Sequence, residues 1–210
     1  MPHSNAPASP QPNYPDELVD KYRNIYVDFD DWFDNVQSEF KERMRAVGID
    51  VDRIYFSGFW SQGDGAMFEG RIEDWGQYLG HLGYDDPILI EAAVGNWYYK
   101  WTHSGHYYHE HSVSYDDGVF SPENPYTSGY WSRDIPEEEQ FRGAVWDAMM
   151  ERHDLLALTE KIQEDLRDHM RDLYRELEKE YDYLTSDEAV IEWMVANEID
   201  PNEDELTEQE

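Results

Sequence analysis

The period of hydrophobic positions changes several times along this chain, and each change marks an element. From Pro15, a proline suited to the first position of a helix, the run DELVDKYRNIY reads as a short helix. A second is expected from Asp30 to Val47, where Trp32, Phe33, Val36, Phe40, Met44 and Val47 recur at intervals of three and four, with Gly48 as its stop. The period then shortens. Arg53 to Trp60 and Ala66 to Ile72 flank SQGDG and predict a β-hairpin whose glycines make the turn. Glu73 to Leu82 and Pro87 to Val94 read as two short helices separated by GYDD. Asn96 to His103 and His106 to Tyr115, joined through Ser104-Gly105, predict a second hairpin. A loop covers 117–135. Residues 136–183 are almost continuously helical, with a break expected between His153 and Thr159, and Thr185 reads as the cap of a last helix, SDEAVIEWMVANE.

The sum is an α+β fold: a small antiparallel sheet of about four strands, from two hairpins, packed with several helices that include a long, acidic, amphipathic one near the C-terminus. Residues 1–14, rich in Pro, Ser, Asn and Ala, are expected to be a disordered tail. Residues 15–199 are expected to form a single domain with a long helical segment at 136–183, and 200–210 an acidic tail.

Charge sharpens this picture. Forty-eight Asp and Glu against sixteen Lys and Arg leave a formal charge of −32. Chains this acidic usually lack the apolar mass to offset the entropy of ordering, yet here eight Trp, sixteen Tyr and eight Phe accompany the acids. The surplus is not confined to a tail, because residues 51–135 alone carry thirteen acids and four bases. Such a field repels nucleic acid and anionic lipid, so neither direct nucleic-acid binding nor membrane association is expected, and partners should be basic. No cysteine is present, which excludes disulfides and thiolate chemistry and fits a reducing compartment. Neither a secretory leader nor a run long enough to span a membrane is visible.

Three rows can be counted along the acidic helix. Ile162, Leu166, Met170, Leu173, Leu177, Tyr181 and Leu184 form an apolar stripe. Glu160, Glu164, Asp168, Asp172, Glu176 and Glu180 recur every four residues, and Arg167, Arg171, Arg175 and Lys179 follow three residues after four of them. Read as an imitation of a nucleic-acid backbone, the acid row is too sparse by itself. Carboxylates at i+4 lie about 6 Å apart along the axis, whereas one DNA strand carries a charge every ~3.4 Å. A second acidic element would have to lie alongside, such as Asp30, Asp31 and Asp34. Read alone, the row is equally a set of salt bridges on a solvated helix face.

The run IYFSGFWSQGDGAMFEG at 54–70, YYHE at 107–110 and YLTSDEAVIEWMVANE at 183–198 resemble, in that order, the signature of a family of small phage-encoded proteins, some members of which carry antitoxin-like labels. The resemblance points to no enzyme class; a phage origin implies a role against host defence in the host cytoplasm. Read from the residues, Gln62 and Asp64 project from the SQGDG tip beside Trp60, as a contact loop would require. The alternative is that Asp64 and the glycines only meet the demands of the turn.

His103, His106, His109 and His111 invite a test as metal ligands. With Ser104-Gly105 as a two-residue turn, His103 would pair with His106, and alternation would turn His109 and His111 to the opposite face. The four would then not converge, and His109 with His111 remain only a weak candidate pair. No catalytic residue and no cofactor is expected. The expected function is that of a non-enzymatic, acidic inhibitor that blocks the basic channel of a host nucleic-acid-binding defence protein. The alternative is an antitoxin-like module that recognises one protein partner and whose acidity mainly gives solubility.

Overall fold

The computed structural model describes residues 13–27, 32–94, 97–116 and 137–202. The loop expected over 117–135 lies outside them, as do most of both expected tails, residues 1–12 and 203–210. The chain groups into two compact units: a central unit, Asn35–Glu176, and a terminal unit built from Met1–Asp34 with Leu177–Glu210.

The central unit carries the sheet. Strands β1 (Ile49–Phe56), β2 (Ala66–Ile72), β3 (Lys100–His103) and β4 (Val113–Asp116) lie in the order β1-β2-β3-β4, antiparallel throughout. The expected α+β fold with two hairpins is therefore present. Helix α2 (Asp34–Ala46) precedes β1. Gly48, at φ +88, ends that run; a Cβ there would meet the Asp74 carbonyl at 2.3 Å, so only glycine fits. Between β2 and β3 the chain forms α3 (Trp75–His81) and α4 (Pro87–Ala93). Both start on an aspartate cap: Asp74 accepts from the Gln77 amide and Asp86 from that of Ile88, with Pro87 at the first helical position. Helices α5 (Glu137–Arg152) and α6 (Leu155–Leu184) follow, separated only at His153 and Asp154.

The core of this unit is aromatic. Phe40, Phe68, Tyr78, Tyr99, Trp101 and Trp146 are almost fully buried. Two indoles are satisfied by backbone: Trp101 donates to the Phe68 carbonyl at 2.8 Å and Trp75 to that of Trp97 at 2.9 Å. The expected stripe on α6 is the buried one, with Ile162, Leu166, Met170, Leu173 and Leu177 all fully inaccessible.

The terminal unit packs α1 (Asp16–Val27) with α7 (Asp187–Ala196). Leu18, Val19 and Tyr22 bury against Val190 and Met194. Tyr14, placed in the disordered tail by composition, is a core residue whose hydroxyl donates to the Ile199 carbonyl at 3.1 Å. Arg23 reaches the Thr185 carbonyl and pairs with Asp187 at 2.7 Å and Asp20 at 2.9 Å. The cap of α7 is Ser186, which accepts from the Ala189 amide, and not Thr185. The Thr185 hydroxyl donates backward to Tyr181 at 2.8 Å and closes α6.

The second hairpin differs from expectation. Lys100 pairs with Asp116, Trp101 with Tyr115 and His103 with Val113, so residues 104–112 form a nine-residue loop. The Ser104 amide donates to Ser112 and that of Ser112 to His109, and Gly105 sits at φ +106 inside the loop. The first hairpin also opens early, since β1 stops at Phe56 and leaves Phe59 and Trp60 in the connection. Among the described residues, no helix is long and apolar enough to cross a membrane.

Candidate functional site

The two motif-bearing loops, 57–65 and 104–112, are built against each other. Tyr108 stacks on Tyr55 of β1 at 5.3 Å between centroids, and the His103 ring lies 5.0 Å from that of Tyr108. The glycines of the first loop give room to the second. A Cβ at Gly63, which sits at φ +101, would meet the Tyr107 ring at 2.8 Å, and one at Gly65 would meet the Tyr108 carbonyl at 2.5 Å. These glycines thus serve close approach as well as the turn. Between the loops runs an open cleft lined by Gln62, Gly63, Asp64, Tyr107, His109, Glu110 and His111. Trp60, 72 % exposed, and Tyr107, 55 % exposed, stand out from the same loops.

Asp64 is half-buried and lines the cleft. Its Oδ2 accepts from the Trp60 amide at 3.0 Å and the Ser61 amide at 2.6 Å, reaching back along the chain to close the loop. Gln62 is exposed. His109 and His111 are loop residues, outside the strand alternation expected of them, with ring centroids 5.8 Å apart. His109 Nδ1 accepts from the His111 amide at 3.1 Å, which commits it to holding the loop.

The acid row of α6 is largely paired. Glu164 lies 2.6 Å from Arg171 and 3.3 Å from Arg167, Asp168 2.5 Å from Arg171, Asp172 2.7 Å from Arg175 and Glu176 2.5 Å from Arg43. Hydrogen bonds from Arg171 and Arg167 hold the Glu164 carboxyl below its usual range. Glu160 is exposed and Glu180 half-buried. Asp34 is exposed at the first turn of α2, while Asp30 and Asp31 lie outside the described residues.

Elsewhere in the central unit a single arginine also gathers several acids, since Arg71 contacts Asp50, Asp52 at 3.3 Å and Glu73 at 2.8 Å. This unit holds twenty-eight acids and thirteen bases, a formal −15 over 142 residues. The terminal unit holds twenty acids and three bases, Lys21, Arg23 and Lys179, a formal −17 over only 68 residues. Its bases are outnumbered nearly seven to one, so the formal charge per residue is higher there than in the central unit.

A further polar cluster lies in the central unit, joining residues 84 positions apart. Asp165 and His169 stand one turn apart on one face of α6, and α3 ends by placing His81 beside them. His81 Nε2 is 3.0 Å from Asp165 Oδ1, and His169 Nε2 is 3.5 Å from Asp165 Oδ2. The two imidazoles stack at 5.6 Å. Tyr78, fully buried, donates its hydroxyl to Asp165 Oδ2 at 2.9 Å. Burial, reinforced by the Asp165 charge, pushes the Tyr78 phenol well above its usual range and keeps it a donor. Burial also lowers the His169 pKa, against the opposing pull of Asp165, so its neutral form is favoured. The spacing of Asp165 and His169 was visible in the sequence; their third partner was not.

A family model described as a domain of unknown function (DUF8835) matches residues 32–85 and 88–187, and the chain belongs to that family. No curated protein and no solved structure matches the chain.

Proposed function

We propose that this member of the DUF8835 family is a non-enzymatic, acidic inhibitor that occupies the basic nucleic-acid channel of a host defence protein, presenting carboxylates where the partner normally meets phosphates. The observation that carries the reading is the terminal unit's twenty acids against three bases. The row on α6, the first candidate from sequence, is engaged by its own arginines and offers less free charge. The phage-type resemblance of the hairpin motifs supports a counter-defence role and a place in the host cytoplasm.

Affinity of this kind is dominated by charge. It brings fast association and falls steeply with salt, as counterion release does at a nucleic-acid interface. The test is co-purification of the tagged full chain with its partner from host cells, followed by washes of rising salt and by competition with duplex DNA and RNA. The reading expects a partner that binds nucleic acid when alone, leaves the protein as salt rises, and is displaced by a duplex. A partner that holds through high salt and binds nucleic acid at the same time overturns it.

A second reading has its own observation. The open cleft between the two motif loops, flanked by Trp60 and Tyr107, suits recognition of one protein partner in the antitoxin manner. There, affinity would depend on those aromatic side chains and survive salt.

A further inference from the structure

The geometry points to a divalent transition-metal site of the zinc class, held by His81, Asp165 and His169 in the central unit. One ligand atom from each lies within 4.8 Å of the others. Zinc–nitrogen and zinc–oxygen bonds of about 2.0–2.1 Å in a tetrahedron place ligand atoms roughly 3.3 Å apart. The observed separations of 3.0 Å from Asp165 to His81 and 3.5 Å from Asp165 to His169 bracket that value.

Hydrogen bonding within the cluster leaves one group unanswered. A proton on His81 Nε2 satisfies the contact with Asp165 Oδ1. His169 Nε2 is then buried without a hydrogen-bond partner, a state that costs free energy in a protein interior. A cation between the three residues satisfies that nitrogen, the carboxylate and His81 together. The surroundings match what ligating carboxylates normally have: Tyr78 hydrogen-bonds Asp165 from behind and fixes its orientation.

Access is also built in. Side-chain exposure is 31 % at His81 against 19 % and 18 % at Asp165 and His169, so the cluster opens to solvent on the α3 side. A cleft of about 390 Å³, lined by Phe40, Arg43, Met44, Asp172, Glu176 and others, reaches the His169 ring. Three protein ligands and a solvent-facing side leave a fourth position for water. The charge of −32 raises the local concentration of any cation. The two histidines give this cluster a preference for zinc-class ions over magnesium that carboxylates alone lack.

The test uses the full chain, stripped with a chelator and titrated with Zn²⁺ by calorimetry in millimolar Mg²⁺, which occupies the general acidic surface. One equivalent should bind and raise the melting temperature. His81→Ala, on the exposed side of the cluster, should weaken binding at least about tenfold with circular dichroism unchanged. Tyr78→Phe should weaken it about 10- to 100-fold, as loss of an orienting hydrogen bond does. The double variant His109→Ala, His111→Ala should bind as the parent does. Co²⁺ in place of Zn²⁺ should give the visible absorption of a low-coordinate site. Absence of a saturable one-equivalent event over magnesium, its survival in His81→Ala, its loss in the loop double variant, or a cobalt spectrum of the hydrated ion overturns the assignment.

Discussion

The two units carry nearly equal charge on unequal amounts of chain, and they use it differently. In the central unit acids are structural parts: Asp74 and Asp86 cap helices, Asp64 closes a loop, and Arg71 and Arg171 each hold more than one carboxylate. In the terminal unit twenty acids face three bases, and the arithmetic forbids similar pairing. A net charge read from composition therefore says little about where a field acts. The acid row on α6 is periodic, and the same periodicity is what lets arginines three residues on pair with it.

The largest effect should come from moving charge in one unit and then in the other. Reversing Asp182, Glu188, Glu192, Glu198 and Asp200, all exposed in the terminal unit, to Lys should reduce affinity for the co-purified partner by at least about 100-fold at low salt. Reversing Glu160, Glu164, Asp168, Asp172 and Glu176 instead should lower the melting temperature, because three arginines of α6 and Arg43 would then face cations, with a smaller loss of binding. Binding isotherms and thermal melts on both variants decide it. Equal losses from both sets would assign the effect to the whole-molecule field.

Stability should separate the units next. Trp101→Ala removes a fully buried indole and its hydrogen bond to Phe68, and should cost about 3–5 kcal/mol. Hydrogen exchange should report that loss in the sheet more than in α1 and α7. Uniform loss of protection would mean that the two units melt as one.

Smaller effects test the two loops. Gly65→Ala forces a Cβ onto the Tyr108 carbonyl and should destabilise by about 1–3 kcal/mol. Asp64→Ala should cost about 1–2 kcal/mol through two lost backbone contacts. Partner binding by the Asp64 variant should change only as far as its urea midpoint does; a binding loss at unchanged stability would assign Asp64 a direct contact with the partner.

The smallest expected effect is a pH dependence. His169 has a folded-state pKa below its ordinary value of 6.5, chiefly from burial, with Asp165, Asp168 and Asp172 opposing and His81 adding to the shift. The folded state thus binds fewer protons there than the unfolded chain. The contribution is complete above 6.5 and is lost as pH falls through that value toward the lower one. Urea midpoints of the chelator-stripped protein from about pH 7.5 to 5.5 should decline more in the parent than in His169→Gln, the difference cancelling the response of the many carboxylates. Parallel profiles would contradict the shift.

Local chemistry made much of the fold legible. Helix periods, the Gly48 stop, the Ala66–Ile72 strand and the buried stripe of α6 could be read because each depends on neighbours within a few residues. The second hairpin was misread for a physical reason. HYYHEHSV has the aromatic content of a strand, but its rings pack on Tyr55 and over Gly63 instead of extending a ladder. Tyr14 looked like part of a tail because its partner, Ile199, is 185 residues away. The cluster of His81 with Asp165 and His169 was hidden by the same kind of distance.

The pairing of Tyr14 with Ile199 and of Leu18 and Tyr22 with Val190 and Met194 has a consequence for biosynthesis. Helix α1 is synthesised before the central unit, and its packing partner α7 after it. At about 5–20 residues per second the central unit has time to fold first, while the apolar face of α1 waits uncovered for α7. The pairing of α1 with α7 waits until α7 has been made, so a product stalled or truncated before Asp187 would expose Leu18, Val19 and Tyr22 as a sticky patch.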